Sequence, residues 1–140
     1  MFYQFSPGLK ETITILNKIE LSASEVMLRS DGIMHFFIKG NISITATDAQ
    51  EMVEAAGKIG KGKKFPILIS AGRYALAEND AREFAAGKEG NKYTIAGAIV
   101  VKSLAQKILG NAYLKVNKPI TPTALFDTEE KAITWLKTFL

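Results

Sequence analysis

The stretch from Gly110 to Leu140, GNAYLKVNKPITPTALFDTEEKAITWLKTFL, reads as helix end, turn, strand and helix in that order. Asn117-Lys118-Pro119 marks the turn, and Thr123 to Phe126 forms a short apolar strand. Asp127 with Glu130 three residues on has the form of a capping box, and the acids of that first turn complement the helix dipole. Ala132, Ile133, Leu136 and Leu140 then recur at helical spacing as an inward face, with Trp135 closing the core edge.

Working upstream, Ser103 with Gln106 opens a helix whose Leu104, Ala105, Ile108, Leu109, Ala112, Tyr113 and Val116 make one wide apolar stripe. Tyr93 to Val101 and Phe65 to Ser70 are near-continuous apolar runs, the pattern of strands buried on both faces of a parallel sheet. Between them Asn79 caps a short helix with Ala81, Phe84 and Ala85 inward. Thr47 with Gln50 starts another helix, whose Ala49, Met52, Val53 and Ala56 run until Gly57 stops it. Nearer the N-terminus, Glu25 to Arg29 and Ile33 to Ile38 flank Ser30-Asp31-Gly32, which is hairpin chemistry because Asp-Gly supplies the positive φ of a tight turn. A hairpin followed by helix–strand units implies an α/β sandwich with a mixed sheet.

The order of these motifs over residues 23–140 resembles a bacterial family described as SpoIIAA-like or STAS-like. The Asn-Lys-Pro turn, the strand ending in Leu125-Phe126, the acidic start Asp127 to Glu130 and the closing Ala132 to Leu136 pattern carry the resemblance, with Lys63-Lys64-Phe65-Pro66-Ile67-Leu68 and Asp80-Ala81-Arg82-Glu83-Phe84-Ala85 upstream. It implies a SpoIIAA-like sandwich, an N-terminal antiparallel hairpin followed by parallel strands, forming one domain over 23–140. Residues 1–22 fall outside it, as a tail or an added strand. In the anti-sigma antagonists that give the fold its name, a Ser at a helix start is phosphorylated. Here Asn79 stands at about that position, and Asn cannot accept a phosphoryl group.

Composition supplies independent bounds. A chain of 140 residues, 47% hydrophobic and 23% charged, is the size and makeup of one globular domain. With no Cys, disulfides, thiolate metal sites and cysteine nucleophiles are all excluded. No apolar run approaches the ~18 residues of a membrane span and the start has no leader pattern, so a cytoplasmic location is expected. The net charge is +4 and unevenly spread: Ala55 to Ala77 and Gly90 to Phe126 contain Lys and Arg but no acid. Three Arg against fifteen Lys, without interleaved aromatics, predict salt-sensitive attraction to polyanions and no specific nucleic-acid site.

Catalytic readings fail on residue type. Gly57, Gly62 and Lys63 match part of a phosphate-binding loop, but Lys64 replaces the metal-binding Ser/Thr and the stretch runs from helix to strand, the reverse of the required order. His35 is the only histidine, sits mid-strand and has no triad or metal set visible in the sequence. The expectation is a non-enzymatic protein with no catalytic residue, metal or cofactor.

Two functions fit. One is a regulatory or protein-interaction module, self-associating as a homodimer through Tyr113 and Leu114. The other is a carrier or sensor of a small anionic or amphipathic, lipid-like ligand. Such a ligand would sit beyond the C-terminal ends of the parallel strands, where Ser70, Arg73 and Tyr74 face Lys102, Ser103 and the free amides of a helix start.

Overall fold

The computed structural model describes residues 12–140; residues 1–11, which belong to the expected tail, lie outside the described residues. Strand β1 (Ile15–Glu20) pairs antiparallel with β2 (Ser24–Arg29), and β2 with β3 (Met34–Ile38). After β4 (Ser43–Ile44) and α1 (Ala46–Ile59) come β5 (Phe65–Ala71), β6 (Leu76–Ala77), α2 (Asn79–Ala86) and β7 (Thr94–Val100). The chain continues with α3 (Leu104–Ala112), a π-helical turn (Tyr113–Asn117), β8 (Thr123–Phe126) and α4 (Glu129–Leu136). The main sheet is ordered β1-β2-β3-β5-β7-β8 and β4 pairs with β6. From β3 onward its pairings are parallel, so the mixed α/β sheet expected from the apolar runs is present.

Topology fixes the layers. The parallel strands are added in one direction, so crossovers of one hand carry α1, α2 and α3 over a single face. Helix α4 follows the last strand, is free of that constraint and covers the other face. Val26, Met34, Phe36, Met52 and Ile67 form the core on the first side, while Ile33, Leu68, Ala98, Ala132 and Leu136 form it on the second.

The hairpin closes as a three-residue loop in which the Arg29 amide donates to the Ile33 carbonyl at 2.9 Å. Only Gly32 takes a positive φ, of 86°. Asp31 folds its carboxylate back onto the Arg29 guanidinium, at 2.7 and 3.0 Å. Burial pushes the Asp31 carboxyl up, yet the hydrogen bond and charge of Arg29 outweigh it and hold the group below its ordinary value.

Several helix ends differ from the expectation. Thr45, not Thr47, caps α1: its hydroxyl accepts from the Asp48 amide while Asp48 accepts from the Thr45 amide at 2.9 Å. Thr45 has the extended backbone a cap requires because it leaves β4 directly. Gly57 does not stop this helix, which runs on to a Gly60 cap. A Cβ at Gly57 would lie 2.4 Å from the Tyr93 ring, so glycine is there to admit the ring.

Glu78 holds the cap position of α2, and Asn79, one residue inside, donates to Glu83 at 2.8 Å. At α4 the cap is Thr128, which accepts from the Lys131 amide, while Asp127 pairs with Lys131 at 3.1 Å. Leu140 is exposed rather than inward. The apolar stripe of α3 is divided too: Leu109 and Tyr113 face inward, and Leu104, Ile108 and Val116 face out.

Candidate functional site

Beyond the C-terminal ends of β5 and β7, two loops meet. The segment after β5 turns tightly, and a Cβ at Gly72 would fall 2.6 Å from the Gly40 amide nitrogen, so only glycine lets the β3–β4 and β5–β6 loops cross. The Asn41 amide donates to the Arg73 carbonyl at 2.8 Å across that crossing. Gln106 joins this loop to the start of α3. Its side-chain amide donates to the Ala75 carbonyl at 3.2 Å, its Oε1 accepts from the Lys102 amide at 3.0 Å, and its own amide donates to Ser103 Oγ at 3.1 Å.

The residues expected to bind a ligand are distributed as follows. Arg73 lies over the Tyr74 ring, 5.1 Å from its centroid, and both are exposed. Lys102 and Ser103 are exposed at the helix start, with the Ser103 hydroxyl occupied by the cap. Ser70 is only 6% exposed and bonds His35 Nε2 at 2.6 Å. Two strand positions beyond Leu68, its side chain points to the α4 side. The pair brings a hydroxyl and an imidazole together within the sheet, with Ser70 almost wholly buried. Burial lowers the pKa of His35, an effect opposed by Glu129, so the ring is held neutral.

Beneath the joined loops lies a feature that no local motif announced. The sheet and helices α1, α2 and α3 enclose a partly open cavity of about 190 Å³. Ile38, Ile67, Ile69 and Ile99 form its floor, Met52 and Phe84 one wall, and Leu109 and Tyr113 another. The gap has a local cause: β7 presents Gly97 where neighbouring positions present isoleucine, and a Cβ there would meet Thr123 and Ile69 only at 3.8–4.0 Å. Burial raises the Tyr113 phenol to about 12, so it remains protonated.

The polar groups on this wall are mostly satisfied. Asn91 donates to the Ala85 and Gly87 carbonyls, each at 2.8 Å, and accepts from Thr121 at 2.7 Å. Arg82 differs. One terminal nitrogen donates to the Ala77 carbonyl and the other to Asn79 at 3.4 Å, but among the described residues its buried Nε has no hydrogen-bond partner. Among the described residues no group of three or more His, Asp or Glu side chains is arranged to hold a metal, and no helix is long and apolar enough to cross a membrane.

A family model described as "Domain of unknown function (DUF7793)" matches residues 26–140. The crystal structure of an uncharacterized protein from the DUF3478 family with a SpoIIAA-like fold, from Shewanella loihica PV-4, is similar at 18% identity. The match covers 92% of this chain and 99% of that one with a TM-score of 0.53, and shows the SpoIIAA-like fold. The crystal structure of a protein with unknown function from Arthrobacter sp. FB24 matches at 24% identity over 80% of this chain and 97% of that one. Its TM-score of 0.29 is too low to support an argument about the fold. No curated protein matches.

Proposed function

The chain belongs to the DUF7793 family, and from that premise we propose that it is a non-catalytic binding module, over residues 23–140, that takes a small amphipathic anion into the cavity under α2 and α3. The observation that carries this reading is the apolar cavity with Arg82 in its wall. Interiors are normally packed to crystal density, and a void of roughly 150 Å³ lined by aliphatic and aromatic groups is enough to admit a benzene-sized molecule. A void of about 190 Å³ lined by isoleucines therefore has room for a short acyl or aryl group. An unpaired buried N–H is costly, and a carboxylate delivered from the cavity would satisfy Arg82 Nε.

The exposed Arg73 and Lys102, on the loops joined by Gln106, would attract the anion towards the same end of the sheet. Such a module senses or carries its ligand. Asn79 at the start of α2 offers no hydroxyl, so switching by phosphorylation at that residue has no chemical basis. Ligand occupancy would instead alter how α2 and α3 sit on the sheet.

Native mass spectrometry of freshly purified protein should show a co-purifying small mass. Titration with hexanoate, followed by amide NMR, should shift Gly97, Ile99 and Leu109 together, and hexanol should bind more weakly. Arg82→Met should remove the preference for hexanoate over hexanol, and Gly97→Val should reduce uptake of both. Absence of shifts at about millimolar ligand, a free energy of roughly 4 kcal/mol, would overturn the reading.

A further inference from the structure

We propose that the outer face of α3 and its π-helical extension docks onto an anionic lipid bilayer. Leu104, Ile108 and Val116 are 73%, 58% and 76% exposed, and Ile120 just beyond is 63% exposed. Leu104 and Ile108 are four residues apart and so lie above one another on the helix surface. Val116 continues the exposed apolar row through the π-helical turn, which adds a residue to the helix period. These side chains are not the rim of a core. The inward side of the same segment, Leu109 and Tyr113, already lines the cavity, and Gly110 is buried where a Cβ would stand 3.0 Å from Leu125.

The lysines along this row come from an acid-free run of the chain. Lys102, Lys107, Lys115 and Lys118 are all exposed, and no acid occurs from Gly90 to Phe126. Asp127, which follows that run and lies within electrostatic reach of Lys107, is paired with Lys131. An apolar row edged by lysines is the composition of a segment that buries its apolar side at the headgroup boundary while its cations meet lipid phosphates. Lysine stems can extend along the apolar surface and keep their ammonium groups in the headgroup layer.

Other occupants fit less well. A second copy docked through the same face by a twofold axis would bring these lysines against their own counterparts, at a like-charge cost. Tyr113 and Leu114, the residues expected at a dimer interface, are half-buried and present less surface than Leu104 or Ile108. Nucleic acid would use the lysines but leave the four exposed aliphatic side chains in water.

The test is co-sedimentation of the full chain with vesicles, either of phosphatidylcholine alone or with roughly one-third phosphatidylglycerol, enough to give a negative surface potential. Binding is expected only to the anionic vesicles and should weaken as salt rises. Lys107→Gln and Lys115→Gln should each lower partitioning roughly fivefold. Leu104→Ser with Ile108→Ser should lower it by about tenfold or more while leaving thermal unfolding unchanged. The cavity does not enter this measurement, so an empty cavity and a face that does not bind lipid are separate failures.

Equal binding to neutral vesicles, or no binding to either, would overturn the proposal. So would a dimer that the double serine variant splits without any lipid response, which would assign the face to a second copy. DNA binding that survives physiological ionic strength, with no affinity for vesicles, would assign it to a polyanion.

Discussion

On its α4 side the sheet meets one helix through small and fully buried residues: Ala96, Ala98 and Ala132 let the backbones approach, and Leu68 and Leu136 fill what remains. Phe126, Trp135 and Phe139 close that side, with ring centroids 5.6 and 4.9 Å apart. On the other side the same strands face three helices and leave about 190 Å³ unfilled. Adjacent residues of β7 carry the contrast, since Ala98 lies in the filled core and Gly97 borders the cavity. A dense face can hold the fold together while the open face is free to exchange an occupant. On the proposed function, stability and binding would fall on opposite sides of one sheet.

The largest expected effect tests the dense side. Leu136→Ala should cost about 4 kcal/mol, because the side chain is fully buried and the surrounding layers cannot collapse onto the gap. The midpoint of urea unfolding would fall with its slope unchanged. A loss below about 1 kcal/mol would mean that this side is as loosely filled as the other.

Next come the two neighbours on β7. Ala98→Val should destabilise by about 2 kcal/mol through overpacking against α4. Gly97→Ala should do the opposite and stabilise by about 0.5–1 kcal/mol, since the added methyl makes only ordinary van der Waals contact with Thr123 and Ile69 and the strand loses a flexible residue. Equal signs for the two substitutions, measured by the same unfolding experiment, would erase the distinction between the faces.

A smaller effect concerns the polar bond at the edge of the dense side. His35 is kept neutral by burial, so the unfolded chain binds its proton more readily than the native one. Its contribution is therefore complete above the ordinary value of 6.5 and declines as pH falls below it, towards the depressed native value. His35→Gln should flatten the pH dependence of stability in that window. An unchanged slope would show that the imidazole of the native protein is already accessible to protons.

How far these features were legible depends on the distance over which each is decided. The hairpin was readable from Ser30-Asp31-Gly32, and the parallel strands from Phe65–Ser70, Tyr93–Val101 and Thr123–Phe126, because turn chemistry and continuous apolar runs are local properties. Helix ends were less so. Thr45 and Thr47 each had a side chain suited to a cap, and the exit from β4 selected Thr45. The Ser70–His35 bond spans 35 residues and follows from the parallel pairing of β3 with β5, which no motif at either residue encodes.

The candidate site shows the same division. Ser103 and Gln106 announced a cap, but the reach of Gln106 to Ala75 could be seen only once β5 and β7 lay side by side. Nothing in the sequence around Arg82 marked it; its place in the cavity wall depends on the neighbours that enclose Nε.

By itself, then, the sequence determined the alternation of strands and helices, the hairpin and the acid-free run of lysines, since periodicity, turn residues and charge act over a few positions. It could not determine which side of α3 faces inward. That helix carries apolar residues at Leu104, Ile108, Leu109 and Tyr113, too far round its circumference for period alone to choose. Tertiary packing chose, by seating Gly110 against Leu125 and turning Leu104 and Ile108 to the outside. The cavity likewise depends on which side chains from β3, β5, β7 and three helices converge around Gly97, because empty space is a property of all its walls together.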